Sequence, residues 1–109
     1  MSHEKNQSVI DALNACITAC NHCISGCLEE ENVQILTGCI KSDIDCAAIC
    51  TLTASLLARG SEHGKHMLKE CAEACEKCAA VCEEHAHHHE HCKQCAQACR
   101  ACAEACKAA

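Results

Sequence analysis

The 109-residue chain has no proline, phenylalanine, tyrosine or tryptophan, and only four glycines. Without proline, nothing in the covalent chain removes an amide donor and stops a long helix. Without aromatics, the side chains that supply much of a small domain's buried area are missing, and another residue type must fill the interior. Long apolar runs are also lacking. The longest, Cys46 to Ala58, is too short and too polar to cross a bilayer. Positive charge is scarce: nine lysines and arginines face fifteen aspartates and glutamates, a formal net charge of −6. That balance disfavours nucleic acid and an anionic membrane as partners and suits cations. The start, Met1-Ser-His-Glu-Lys-Asn-Gln-Ser8, lacks the apolar segment of an export leader, so a cytoplasmic address is expected.

What is abundant is cysteine, sixteen residues in all. A short cysteine-dense chain reads as a disulfide scaffold when exported, but as a metal site when it stays in a reducing compartment. The cysteines fall into four runs: Cys16, Cys20, Cys23, Cys27; then Cys39, Cys46, Cys50; then Cys71, Cys75, Cys78, Cys82; then Cys92, Cys95, Cys99, Cys102, Cys106. Every interval within a run is three, four or seven residues, which keeps each run on one face of a helix. The pattern predicts helices over about 9–30, 33–58, 65–84 and 90–107. Ser8-Val-Ile-Asp11 reads as a capping box at the first start, and Arg59-Gly-Ser-Glu-His-Gly64 as the central turn. Short connections between four similar helices imply a single domain, 1–109: an all-α, antiparallel up-down-up-down four-helix bundle with a cysteine-lined interior. Aliphatics accompany the stripes on the first two helices, whereas the last two have little beyond Leu68, Val81 and alanine. Their core must be mainly thiol, and those aliphatics outside the stripes are candidates for contact between bundles.

Thiols at i and i+3 or i+4 stand on adjacent turns and can clamp one soft ion. Thiolate selects Cu(I), Zn(II) or iron–sulfur clusters. Cu(I) accepts two or three sulfurs, whereas zinc wants four in a tetrahedron. Charge separates them further. Buried thiols must be protonated in the empty protein, and exchanging each proton for one Cu⁺ leaves the interior neutral. Four ZnCys4 sites would each carry two negative charges, with no lysine or arginine on the stripes to offset them. Copper(I), many ions per chain, is therefore the expected cargo. An enzyme is not expected, because no nucleophile–base pair stands out.

The stripes continue into other donors. Met67 precedes Cys71 by four residues, His85 follows Cys82 by three and His88 precedes Cys92 by four, with His87, His89 and His91 in the same turn. In an antiparallel bundle this turn lies beside Glu29, Glu30 and Glu31, making an acidic, imidazole-rich mouth. His63, His66 and Met67 mark the opposite end among lysines. Asp43 falls four residues after Cys39, on the cysteine face; a hard carboxylate is a poor Cu(I) ligand. It is expected to interrupt the thiol column, as a hydrogen-bond partner of a thiol or histidine, as the place where loading starts, or as a partly exposed residue at a splayed interface. His3 reads as a tail residue, and His22 points off the stripe.

Rival functions are a zinc or heavy-metal buffer of metallothionein type, an iron–sulfur electron carrier, and a disulfide-stapled module. The helical spacing and the absence of Cys-x-Cys stand against the first. The missing Cys-x2-Cys-x2-Cys-x3-Cys-Pro run stands against the second. Intrahelical pairs that constrain little stand against the third. From Ala15 to Cys106 the chain resembles the bacterial cysteine-rich copper storage proteins. The segments that carry the likeness are Ala-Cys-Ile-Thr-Ala-Cys-Asn-His-Cys-Ile-Ser-Gly-Cys, Cys-Ile-Lys-Ser-Asp-Ile-Asp-Cys-Ala-Ala-Ile-Cys, Cys-Ala-Glu-Ala-Cys-Glu-Lys-Cys and the His-rich turn before Cys92. The resemblance implies a homotetramer of bundles, the cytosolic branch of the family, and all sixteen cysteines as ligands. A copper chaperone or efflux donor would be its protein partner.

Overall fold

In the computed structural model, which describes residues 2–109 and their side chains from Asn6 onward, the stripes become four helices. They are α1 (Ser2–Leu28), α2 (Thr37–Ala58), α3 (Gly64–Glu83) and α4 (Glu90–Ala108). A 3-10 turn over Val33–Leu36 leads into α2. The side chain of His3 lies outside the described residues.

Helix α1 begins at Ser2 rather than near Val9. Ser8 is therefore inside the helix and caps nothing. No glycine or proline breaks the chain ahead of it. Asp11, assigned above to the capping box, instead accepts a hydrogen bond from Gln7 Nε2 at 2.8 Å, an ordinary i, i+4 pair. The central turn needs its glycine: Gly60 sits at φ +68°, where a Cβ would be strained. It lets Gly60 and Ser61 donate their amides back to Leu57 and Leu56, which satisfies the last carbonyls of α2.

Each helix packs on two neighbours, α1 on α2 and α4, and α3 on α2 and α4. The result is a square antiparallel bundle with Cα extents of 47 × 18 × 17 Å. Its axis is filled by thiols, all sixteen of them buried. Free cysteine packs as a small hydrophobe, and the buried alanines Ala72, Ala79, Ala96 and Ala103 let α3 and α4 approach closely. Aliphatics complete the core on α1, α2 and the 3-10 turn between them. Leu13 and Leu36 are fully enclosed, and Val9 and Leu57 nearly so, each contributing about 1.5–3 kcal/mol of burial. Leu28, Ile35, Ile44 and Leu52 stay exposed. Among the described residues no helix is long and apolar enough to cross a membrane.

Candidate metal centre

Because each stripe faces the axis, sulfurs from different helices meet. Cys16 Sγ lies 3.8 Å from Cys46 and 3.6 Å from Cys99. Cys46 lies 3.7 Å from Cys75, and Cys50 lies 3.6 Å from Cys71. Cys39 lies 3.3 Å from Cys82, and Cys95 lies 3.8 Å from Cys20. The contacts run along the axis as a column interrupted at Asp43, whose carboxyl joins Cys39 and Cys82 on the mouth side to Cys78 and Cys95 on the other. Within it stand groups of four whose sulfurs lie within 4.8 Å of one another. Cys16, Cys46, Cys50 and Cys75 form one, and Cys50, Cys71, Cys75 and Cys102 another that shares two members with it. Shared membership allows a sulfur to bridge ions. Cys106 closes the column at the far end, where it lines a cleft of about 740 Å³ with Leu57, Leu68, Lys65, Lys69 and Lys107.

Asp43 is completely buried, so it is not the partly exposed residue of a splayed interface. The reason is that thiols from three helices converge on it. Its Oδ1 accepts from Cys78 at 3.1 Å, Cys95 at 3.2 Å and Cys82 at 3.5 Å, and Oδ2 faces Cys39 at 3.8 Å. Desolvation first, then the neighbouring Cys95 and Cys78 sulfurs, push this carboxyl well above the usual carboxylate range. That direction favours the neutral acid in the metal-free protein, which lessens the cost of burying a charge.

The mouth is built by the ends of α1 and α3 and the starts of α2 and α4. Cys23, Cys27, Cys39 and Cys92 form its four-thiol group. The ring of His91 leans over it, with Nδ1 at 3.5 Å from Cys92, 3.7 Å from Cys23 and 3.9 Å from Cys27. Its Nε2 meets Glu30 Oε2 at 3.2 Å. Desolvation opposes charge on this ring, but hydrogen bonds to Cys23 and Glu30 outweigh it and raise its pKa above the ordinary 6.5. Burial pushes the Cys27 and Cys92 thiols up. Cys23 moves the other way, lowered by hydrogen bonds from Cys39 and Cys82 with a smaller one from His91.

The remaining sequence candidates are distributed unevenly. Among the described residues His91 is the one imidazole hydrogen-bonded to thiols. His89 stacks on it at 5.2 Å between centroids and meets Glu30 at 3.2 Å. His85 is half-buried, whereas His87 and His88 are exposed and packed edge-on. At the other end His63 and His66 are exposed and Met67 is half-buried; His22 is exposed on α1. Gly26 drew no notice in the sequence, yet it underlies the His91 ring. A glycine inside an otherwise unbroken helical stripe was the available signal.

Residues 2–109 match the family model described as copper storage protein. An uncharacterised cysteine-rich protein of Bacillus subtilis is 41% identical over 84 residues, covering 77% of this chain and 78% of that one. The structure is similar to that of a cytosolic copper storage protein from Streptomyces lividans carrying five coppers, with TM-score 0.95 and 40% identity, covering 98% of this chain and 92% of that chain. It is likewise similar to the Cu(I)-bound Bacillus copper storage protein BsCsp3, with TM-score 0.91 and 40% identity over 95% and 96% of the two chains.

Proposed function

This chain belongs to the copper storage protein family, and from that premise we propose that it stores Cu(I) as cargo in the cytoplasm. Its role is storage rather than catalysis. The observation that carries the reading is the column of sixteen buried thiols, with no buried lysine or arginine beside it among the described residues. All sixteen cysteines serve as ligands, each exchanging its proton for a share of a Cu⁺ ion. Neutral exchange keeps the dry interior free of net charge, and shared sulfurs let ions pass along the column by thiolate exchange. The chain acts as one domain, 1–109. Copper arrives at the histidine end, where His91, Cys23, Cys27 and Cys92 converge beneath Glu30, from a copper chaperone or efflux donor. His85, His88 and His89 serve as outer donors there. Exposed Ile44 and Leu52 on α2, with Ile35 and Leu28, supply the contact surface of a homotetramer.

A zinc buffer is the second reading, favoured by one observation. The groups Cys23/Cys27/Cys39/Cys92, Cys20/Cys78/Cys95/Cys99 and Cys16/Cys46/Cys50/Cys75 share no cysteine, and each offers the four sulfurs zinc prefers. Two negative charges per site, buried without a cation, weigh against it. Anaerobic titration of the reduced protein against a strong competing chelator separates the two. Storage predicts tight uptake of about one Cu⁺ per thiol with helicity already present. Saturation at three or four ions with zinc preferred would replace it with the zinc reading.

A further inference from the structure

Glycine costs stability in a helix interior relative to alanine, because its backbone loses more freedom on ordering. Gly26 nevertheless stands in the last turns of α1, with neither a positive φ nor a chain reversal to require it. Its reason is tertiary. A Cβ at this position would lie 2.6 Å from His91 Cδ2 and 2.7 Å from His91 Cγ. These are ring atoms near the base of the side chain, so the whole imidazole would have to leave. One turn further on, Glu30 receives the far side of the same ring, Nε2 to Oε2 at 3.2 Å. An ionised carboxylate only accepts, so this contact holds the proton on Nε2. In the neutral ring the other nitrogen, Nδ1, is then the one that carries the lone pair, and it faces Cys23, Cys27 and Cys92.

We propose that Gly26 in the last turn of α1 and Glu30 in the turn that follows form a seat that fixes the position and tautomer of His91 above Cys23, Cys27 and Cys92. Both are positioning residues: neither touches the metal, and each acts through the imidazole. This rests on the storage reading, and it adds that the rate of loading, rather than the capacity, is set by two residues at the end of α1 and in the turn after it. A carboxylate behind a metal-binding imidazole is a known way to orient the ring and raise its basicity. Here the space for the ring is as necessary as its hydrogen bond.

The test combines loading kinetics with readouts that need no metal. In stopped-flow mixing of reduced protein with a Cu(I) complex under anaerobic conditions, Gly26→Ala and His91→Ala each slow the first equivalents by about tenfold or more. Gly26→Ala, which removes no ligand, leaves the final capacity unchanged. Adding Gly26→Ala to His91→Ala slows loading no further. The melting temperature carries a sign change: Gly26→Ala lowers it in the native background but raises it when His91 is alanine, since the ring is gone and alanine is the better helix former. Nitrogen NMR of the metal-free protein, recorded above the titration of the ring, finds the proton of His91 on Nε2. Glu30→Ala mixes the tautomers, and Glu30→Gln, which keeps an acceptor, restores much of the native pattern. Native loading rates in Gly26→Ala, or equal slowing by Gly26→Ala with and without His91, would overturn the proposal. A native protein that takes up no Cu(I) would instead fell the storage reading, while the melting and tautomer results would still decide whether the seat exists.

Discussion

The two ends of the bundle are built on the same helical register but finish it differently. Towards the histidine end the stripes run as thiols to the last turn, with Cys27 on α1, Cys39 on α2, Cys82 on α3 and Cys92 on α4. Towards the other end α3 and α4 continue as Cys71 and Cys106, but α1 and α2 change chemistry on the same face. Cys16 gives way to Leu13 and then Val9, and Cys50 to Thr53 and then Leu57, all buried. The first end offers a half-buried imidazole backed by a carboxylate; the second offers an aliphatic plug beneath Lys65, Lys69 and Lys107. Soft donors at the surface attract Cu⁺, whereas lysines repel it and leucines hold the empty fold together. On the proposed reading, one end serves the cargo and the other serves stability.

The largest expected effect breaks the plug. Leu13→Ala removes a fully enclosed side chain and should cost the metal-free protein about 2–5 kcal/mol, read by urea or thermal unfolding. Its Cu(I) capacity should be unchanged. A loss of capacity without a loss of stability would merge the roles of the two ends.

Asp43 gives the next effect. Its carboxyl is raised in the folded state, so its contribution to stability is present below the ordinary carboxylate pKa and is lost as pH rises towards the folded value. From about pH 4 upward the metal-free protein should lose stability relative to Asp43→Asn, by at most ~1.4 kcal/mol per pH unit. Denaturation of both proteins at several pH values isolates the difference. Parallel curves would mean that Asp43 is ionised in the fold.

On the flank rather than the ends, Ile44→Glu with Leu52→Glu should dissociate the proposed homotetramer, seen by sedimentation, while altering the stability of a bundle by less than about 1 kcal/mol. The smallest effect tests the entrance itself. Lys65→Glu with Lys69→Glu reverses charge at the plugged end and should change the Cu(I) loading rate by no more than about twofold, a local field being screened within a Debye length of the distant mouth. A large acceleration would move the entrance to the lysine end.

Much of this was legible in the linear sequence, because a four-residue spacing of cysteines has one geometric meaning in a helix. The four stripes, the square bundle and the thiol core follow from it. The start of α1 did not, since Ser8-Val-Ile-Asp11 matches a capping pattern whether or not a helix already runs through it. The convergence on Asp43 was half visible: its place on the stripe was clear, but Cys78, Cys82 and Cys95 reach it from other helices. The same holds for Gly26, whose partner His91 lies far along the chain. Only packing of α4 against α1 brings the missing Cβ and the ring together. Likewise, no spacing distinguishes His91 from its exposed neighbours His87 and His88.

The central claim is that the interior is a set of protonated thiols already in place, each exchanged for copper without building up charge. Proton release during anaerobic Cu(I) addition, followed in unbuffered solution by pH-stat with helicity recorded alongside, tests it most directly. The account predicts about one proton released per Cu⁺ up to saturation, with helicity constant from the first addition. Release of few or no protons would mean that the thiolates are already ionised. Helicity that appears only with metal would mean that the column is made by its cargo rather than waiting for it.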